Sequence, residues 1–186
     1  MFNREELADK TVLDLGSGLK AKLAKQLKDA GINTEVVSVS PDFSERKYGK
    51  EVKKSLPEGK FVAALGQALP FKDESFDRVF ALHVIEHFRS GNIYKKCLIE
   101  IPRILKEGGK ATLGPLPFFH RDYEDILEHK EIMEIFEHYG VQIVKEDIPK
   151  ENLFADSIKG DGDSFAPRIK NVTFYNLVLL KSGNNE

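Results

Sequence analysis

Residues Thr11–Ala24 read TVLDLGSGLKAKLA: a short apolar run, a turn with two glycines, then a lysine-bearing amphipathic segment. Val12, Leu13 and Leu15 give a strand pattern. Leu19, Leu23, Ala24 and Leu27 then recur at helical spacing from about Lys20 to Ala30, and Gly31 stands where a left-handed cap is wanted. Strand, glycine turn and helix in this order commonly cradle a phosphate, because backbone amides at the start of the helix face the ligand. Gly16, Gly18 and Ala21 satisfy the G-x-G-x-x-G/A spacing of dinucleotide sites. Asp14, two residues before the first glycine, does not suit a phosphate. An ionised carboxylate about 5 Å from a phosphate charge is repelled by roughly 3 kcal/mol at an effective dielectric of about 20. A ligand bringing an ammonium or sulfonium would be attracted. The plainer alternative is that Asp14 caps the turn by accepting backbone amides.

The alternation continues along the chain and predicts an α/β sheet protein. Strands are expected at Thr34–Ser40, Lys60–Leu65, Ser75–Val84, Lys110–Leu116 (broken by Gly114-Pro115), Val141–Ile148 and Asn171–Leu180. A long helix is expected from about Asn92 to Lys106, with Ser90 or Asn92 as N-cap and Gly108-Gly109 as the stop. Pro102 inside it predicts a kink or two shorter helices. A second amphipathic helical stretch spans Tyr123–Gly140, and the polar, glycine-bearing segment Lys150–Lys170 is expected to be a mobile surface loop.

Composition bounds the class. The 186 residues suit one domain, residues 1–186, and 41% hydrophobic with 31% charged residues is the balance of a soluble globular protein. A net charge of −2 gives no global field toward nucleic acid or anionic membrane, so neither is an expected partner. Lys20, Lys22, Lys25 and Lys28, with Arg46, Lys47, Lys50, Lys53 and Lys54, are read as a solvated basic face. Cys97, the single cysteine, excludes an internal disulfide and lies among apolar neighbours as a core thiol. No apolar run approaches the roughly 18 residues of a membrane span, and a cytoplasmic location is expected.

VLDLGSG, EVVSVS, FVAALGQALPFKDESFDRVFALHVIEHF and EIPRILKEGGKATLGPL together resemble the class I S-adenosylmethionine-dependent methyltransferases, over about Thr11 to Leu116. The likeness implies a Rossmann-like seven-stranded mixed sheet of order 3-2-1-4-5-7-6, with strand seven antiparallel and helices on both faces. It implies S-adenosyl-L-methionine as cofactor, with S-adenosyl-L-homocysteine as product. Asp14 would hold the methionine ammonium. Leu15, Gly16, Ser17 and Gly18 would form the turn beneath the cofactor, and Leu82 and His83 would line the methyl-transfer end.

Three positions depart from the family pattern. Lys20 replaces a frequent third glycine, and Ser40 stands where an acid usually binds the ribose hydroxyls. Asp42 substitutes for that acid only if the chain bends back after Pro41. Leu65, followed by Gly66 and Gln67, stands where an acid usually accepts the adenine amino group, and the Gln67 amide oxygen is an alternative acceptor. Weaker cofactor binding than in the family at large is the expectation.

HVIEH, from His83 to His87, also fits the H-x-x-E-H zinc signature. A strand running directly into His83 keeps the two histidines off one helical face, and no metal is expected. His83 ends a central strand, where open α/β sheets bind ligands, and imidazole suits a general base. It is the one catalytic candidate, needed only for an acceptor whose proton must leave. About ten residues precede strand one, so an N-terminal cap is not expected over the site. Closure would fall to the loop near Gly160, to a partner subunit in an oligomer, or to the unidentified acceptor itself. Two rivals stand beside methyl transfer: a non-catalytic binding or scaffold protein on the same fold, and an NAD-dependent oxidoreductase.

Overall fold

A computed structural model describes residues 4–44, 59–84, 91–117, 130–148 and 174–183. Its elements in chain order are α1 (Arg4–Leu7), β1 (Thr11–Leu15), α2 (Lys22–Asp29), β2 (Glu35–Val39), a 3-10 turn (Pro41–Phe43), β3 (Lys60–Val62), β4 (Phe76–Leu82), α3 (Gly91–Ile104), β5 (Leu105–Pro117), α4 (Lys130–His138), β6 (Val141–Ile148) and β7 (Phe174–Lys181). The seven strands form one sheet of order β3-β2-β1-β4-β5-β7-β6. β1 to β5 pair in parallel, and β7 runs antiparallel to both β5 and β6. The order and the reversed seventh strand are those the resemblance implied.

Alternation along each strand divides the core into two layers. Leu13 and Leu15 of β1, with Val37, Val39, Val79, Ala81, Ala111 and Leu113, pack against Cys97, Leu98 and Ile101 of α3 and Ile132 and Phe136 of α4. Val12 and Phe80 face the other way, onto Leu7 of α1 and Leu23 and Leu27 of α2. Parity therefore places Asp14 on the α2 face. Cys97 is fully buried, as expected of a core thiol, and burial pushes its thiol up to about 12.

The end of α2 follows its sequence closely. Gly31 adopts φ +65°, its amide donates to Lys28 O and the Ile32 amide to Leu27 O, a Schellman closure in which Ile32 packs back on Leu27. The end of α3 differs from expectation. One helix runs from Gly91 to Ile104, with Pro102 in its final turn, so two shorter helices do not form. It stops before Gly108-Gly109, because other groups take its last carbonyls. Glu74 N donates to Arg103 O at 3.0 Å, Ser75 N to Ile104 O at 2.8 Å, and Lys181 Nζ to Leu105 O at 2.8 Å and Pro102 O at 3.4 Å. β5 consequently begins at Leu105 rather than Lys110 and passes through Gly114-Pro115 with a shift of register against β7, instead of ending there. Proline has no amide for the ladder, and a bulge absorbs the loss. β3 is only three residues long, because the chain turns at Leu65–Ala68. Ser90, the helical stretch before Lys130, and Lys150–Lys170 lie outside the described residues. No helix among the described residues is long and apolar enough to cross a membrane.

Candidate functional site

The carboxyl ends of β1, β2 and β4 adjoin in the sheet, and β3 flanks them. At the end of β1 the chain turns through Gly16 (φ +74°), Gly18 (φ +59°) and Ala21 (φ +40°) before entering α2. Ala21 is a non-glycine residue in left-handed backbone, a conformation costing about 1–2 kcal/mol. It caps α2 with no side-chain hydrogen bond. The Gly16 and Ser17 amides both donate to Val39 O, at 2.8 and 3.1 Å. These two amides thus tie the turn to β2 and are not presented to a ligand. A Cβ on Gly16 would lie 2.1 Å from Val84 Cγ2, whereas nothing lies within 4 Å of the corresponding point at Gly18. The sequence reading gave both glycines to a ligand. In the structure the bare Cα of Gly16 accommodates Val84, and Gly18 is the one that borders open space. Lys20 is exposed beside it.

Asp14 is 7% exposed, and among the described residues burial is the only influence on its carboxyl group, with no hydrogen bond contributing. Turn capping is therefore not its role, since backbone bonds hold the turn. Burial pushes its pKa up to about 7. Near neutral pH the group is poised between acid and carboxylate, where the sequence reading took it as fully ionised. In the sheet register it stands between Ser38 of β2 and Phe80 of β4. A buried carboxyl without a partner is costly when ionised, unless a cation meets it.

Beyond β2 the chain bends at once. Ser40 Oγ accepts from Asp42 N at 3.2 Å, Ser40 O accepts from Phe43 N, and Pro41–Phe43 makes one 3-10 turn. The chain thus turns directly after β2, with Asp42 in the middle of the turn. Ser40 is buried and Asp42 partly exposed. After β3, Ala68 N donates to Leu65 O at 3.0 Å, closing a turn with Gly66 and Gln67 at its tip. Leu65 is 51% exposed, which makes it a large apolar side chain displayed beside the site.

Sequence reasoning gave no role to the pair that holds this loop. Arg103 of α3 donates to Glu100 from Nε and Nη2 (2.9 and 2.8 Å), to Asp73 at 2.8 Å, to Phe71 O at 2.8 Å and to Leu69 O at 3.2 Å. Glu100 accepts the Leu69 amide at 2.7 Å. The bond from Arg103 holds the Glu100 carboxyl below its usual range, and Glu100 and Asp73 in turn raise the Arg103 guanidinium. Glu100 and Arg103 at i, i+3 in EIPRI were the available signal. What they grip, a loop some thirty residues earlier, has no local signature.

β4 ends at Leu82, which is partly buried. His83 follows at φ +55°, exposed, its amide donating to Gly114 O at 2.8 Å. Left-handed backbone at a non-glycine residue is uncommon and gathers at functional sites. The same conformation removes His83 from any regular helix leading to His87, which lies outside the described residues together with Glu86. The structure thus brings Asp14, Leu15, the Gly16–Gly18 turn, Ser40 and Asp42 together at the ends of β1 and β2. Leu65–Gln67 stand beyond β3, and Leu82 and His83 at the end of β4.

Residues 13–113 match the family described as Methyltransferase domain, more than half of the chain. The demethylmenaquinone methyltransferase of Renibacterium salmoninarum is 32% identical over 120 residues, covering 60% of this chain and 47% of that protein. The chain spans about half or less of the length of the curated relatives it matches. Among solved structures, a chain in the complex of the Haloferax volcanii Trm112 methyltransferase activator with its methyltransferase superposes with a TM-score of 0.59 at 17% identity, covering 97% of this chain and 85% of that one. The Burkholderia thailandensis 1,6-didemethyltoxoflavin-N1-methyltransferase, solved with its substrate and S-adenosylhomocysteine, gives 0.54 at 15% identity, covering 94% and 72%. Family match, strand order and reversed seventh strand agree: this chain belongs to the class I S-adenosylmethionine-dependent methyltransferases.

Proposed function

We propose that the chain binds S-adenosyl-L-methionine across the carboxyl ends of β1 to β4 and transfers its methyl group to an acceptor, leaving S-adenosyl-L-homocysteine. The observation carrying this reading is Asp14, a buried carboxyl raised by burial with no hydrogen bond offsetting it, beside a glycine turn whose first two amides are already used. That arrangement fits an ammonium and disfavours a diphosphate, which supports the methyl donor over NAD. The donor supplies an activated methyl on a sulfonium, so no protein nucleophile is required, and the chain's task is alignment. Asp14 holds the amino-acid end, and Gly18 gives the backbone room. Asp42, in the middle of the 3-10 turn, and Ser40 serve the ribose. The exposed Leu65 and the Gly66-Gln67 tip meet the base, held in place by the Arg103–Glu100 grip. Leu82 and His83 face the transferred group, and His83 takes the acceptor's proton where one must leave. In this reading residues 1–186 work as one cytoplasmic domain, with the acceptor open and a partner subunit as one means of closing the site.

The test is calorimetric titration of the chain with S-adenosylhomocysteine and, separately, with NAD at about pH 8. Binding of the first and not the second is the expected result. Binding of NAD alone refutes the reading, and silence from both favours the scaffold alternative. Labelled-methyl transfer to candidate acceptors then separates catalysis from binding.

A further inference from the structure

On the α2 face of the sheet, Ser38 of β2 is the register neighbour of Asp14, on strands about 4.8 Å apart. Ser38 is 1% exposed and its Oγ has no hydrogen-bond partner. An unpartnered hydroxyl thus stands beside a buried carboxyl group whose only perturbing influence is burial. A buried hydroxyl left unpaired is disfavoured, and native proteins rarely keep one without a state in which it is used. The hydroxyl can donate, and the ionised carboxylate can only accept.

We propose that Ser38 is a positioning residue for Asp14: its hydroxyl donates to the Asp14 carboxylate once that group ionises, and fixes the carboxylate for a cationic ligand. Ser38 is the donor in register with Asp14; among the described residues the other buried unpartnered donor on this face is Arg78 Nε, which is level with Val12 instead. Phe80, the register neighbour on β4, is apolar, and Arg78 two residues earlier directs Nη1 to Asp77 O at 2.8 Å. α1 and α2 close the face with Leu7, Leu23 and Leu27, while their described charged side chains Glu5, Glu6, Lys22, Lys25, Lys28 and Asp29 are exposed. Lys20 of the turn and His83 beyond β4 are exposed as well. Burial alone accounts for the raised carboxyl. The proposal rests on the methyl-donor reading only for the identity of the cation, since the bond itself needs no ligand.

The decisive measurement is therefore made on the ligand-free protein. The Asp14 carboxyl carbon is titrated by NMR, with Asp14→Asn assigning the resonance. Burial alone gives about 7, so with the Ser38 bond in place a midpoint below about 7 is expected for the native chain. Ser38→Ala is expected to raise it by about one unit, because the donor to the charged form is gone, and Ser38→Thr, which keeps a hydroxyl, to restore it. An unchanged or lowered midpoint in Ser38→Ala overturns the proposal. So does a rise in both variants, which assigns the effect to packing. S-adenosylhomocysteine titrations at about pH 6 should then show about a tenfold weaker affinity for Ser38→Ala than for the native chain, with a smaller gap at about pH 8. If the native chain binds no S-adenosylhomocysteine, the methyl-donor reading fails while the carboxyl titration still judges Ser38.

Discussion

Replacing Asp14 by Asn separates the cost of burying a charge from its use. Burial moves the carboxyl from an ordinary 3.8 to about 7. At about 1.4 kcal/mol per unit, this difference is worth about 4 kcal/mol. The folded protein keeps the proton until about pH 7, whereas the unfolded chain releases it near pH 4. Between those values the unfolded state binds fewer protons, so the stability this group contributes is full in acid and lost as pH rises through 7. Asn carries no charge at any pH. Asp14→Asn should match the native chain at about pH 4 and exceed it by about 4 kcal/mol at about pH 8, equivalent to about 8–16 °C in Tm for a chain of this size. Scanning calorimetry of both proteins without ligand, at steps across that range, reads the gap directly. Glu100, held below its usual value by Arg103, weakens both proteins in acid and cancels in the difference. The same variant should bind S-adenosylhomocysteine about 10–100-fold more weakly at about pH 8, having lost a charge-assisted hydrogen bond. A Tm gap that stays constant with pH would show that Asp14 is not a buried ionisable charge, and the electrostatic account of the site would fall with it.

Other perturbations test neighbouring parts. Arg103→Ala should cost about 1.5–3 kcal/mol in urea unfolding, because part-buried Glu100 loses its charged partner, and should speed amide exchange at Leu69; unchanged exchange there would refute the grip on the loop. Gly16→Ala places a methyl against Val84 at positive φ and should destabilise by about 2–4 kcal/mol, of which the Val84→Ala background recovers part. Full recovery would mean that the backbone conformation is unstrained. Lys181→Met removes the ammonium from the Leu105 and Pro102 carbonyls and from Glu74, and should lower Tm by about 2–8 °C. An unaltered Tm would leave the early stop of α3 without its explanation.

Local patterns made much of the fold legible. Strand β6 has the bounds its alternation predicted, and the closure of α2 at Gly31 could be read directly, because each depends on contacts within a few residues. The ends of α3 and β5 were misplaced for the opposite reason: Glu74, Ser75 and Lys181, distant in sequence, take carbonyls that the glycine pair was expected to terminate. At the site, glycine spacing marked the turn, but which glycine meets the protein and which meets open space depends on where Val84 arrives from β4.

From its sequence alone, this protein determined a parallel-type α/β sheet, a glycine turn after the first strand, and a carboxylate placed just ahead of it, since periodicity and residue type are properties of short segments. Tertiary structure alone decided the charge state of that carboxylate, the unsatisfied hydroxyl beside it and the arginine grip beneath the loop after β3. Desolvation and hydrogen-bond partnership are set by strands and helices brought together from far along the chain, and no window of sequence contains them.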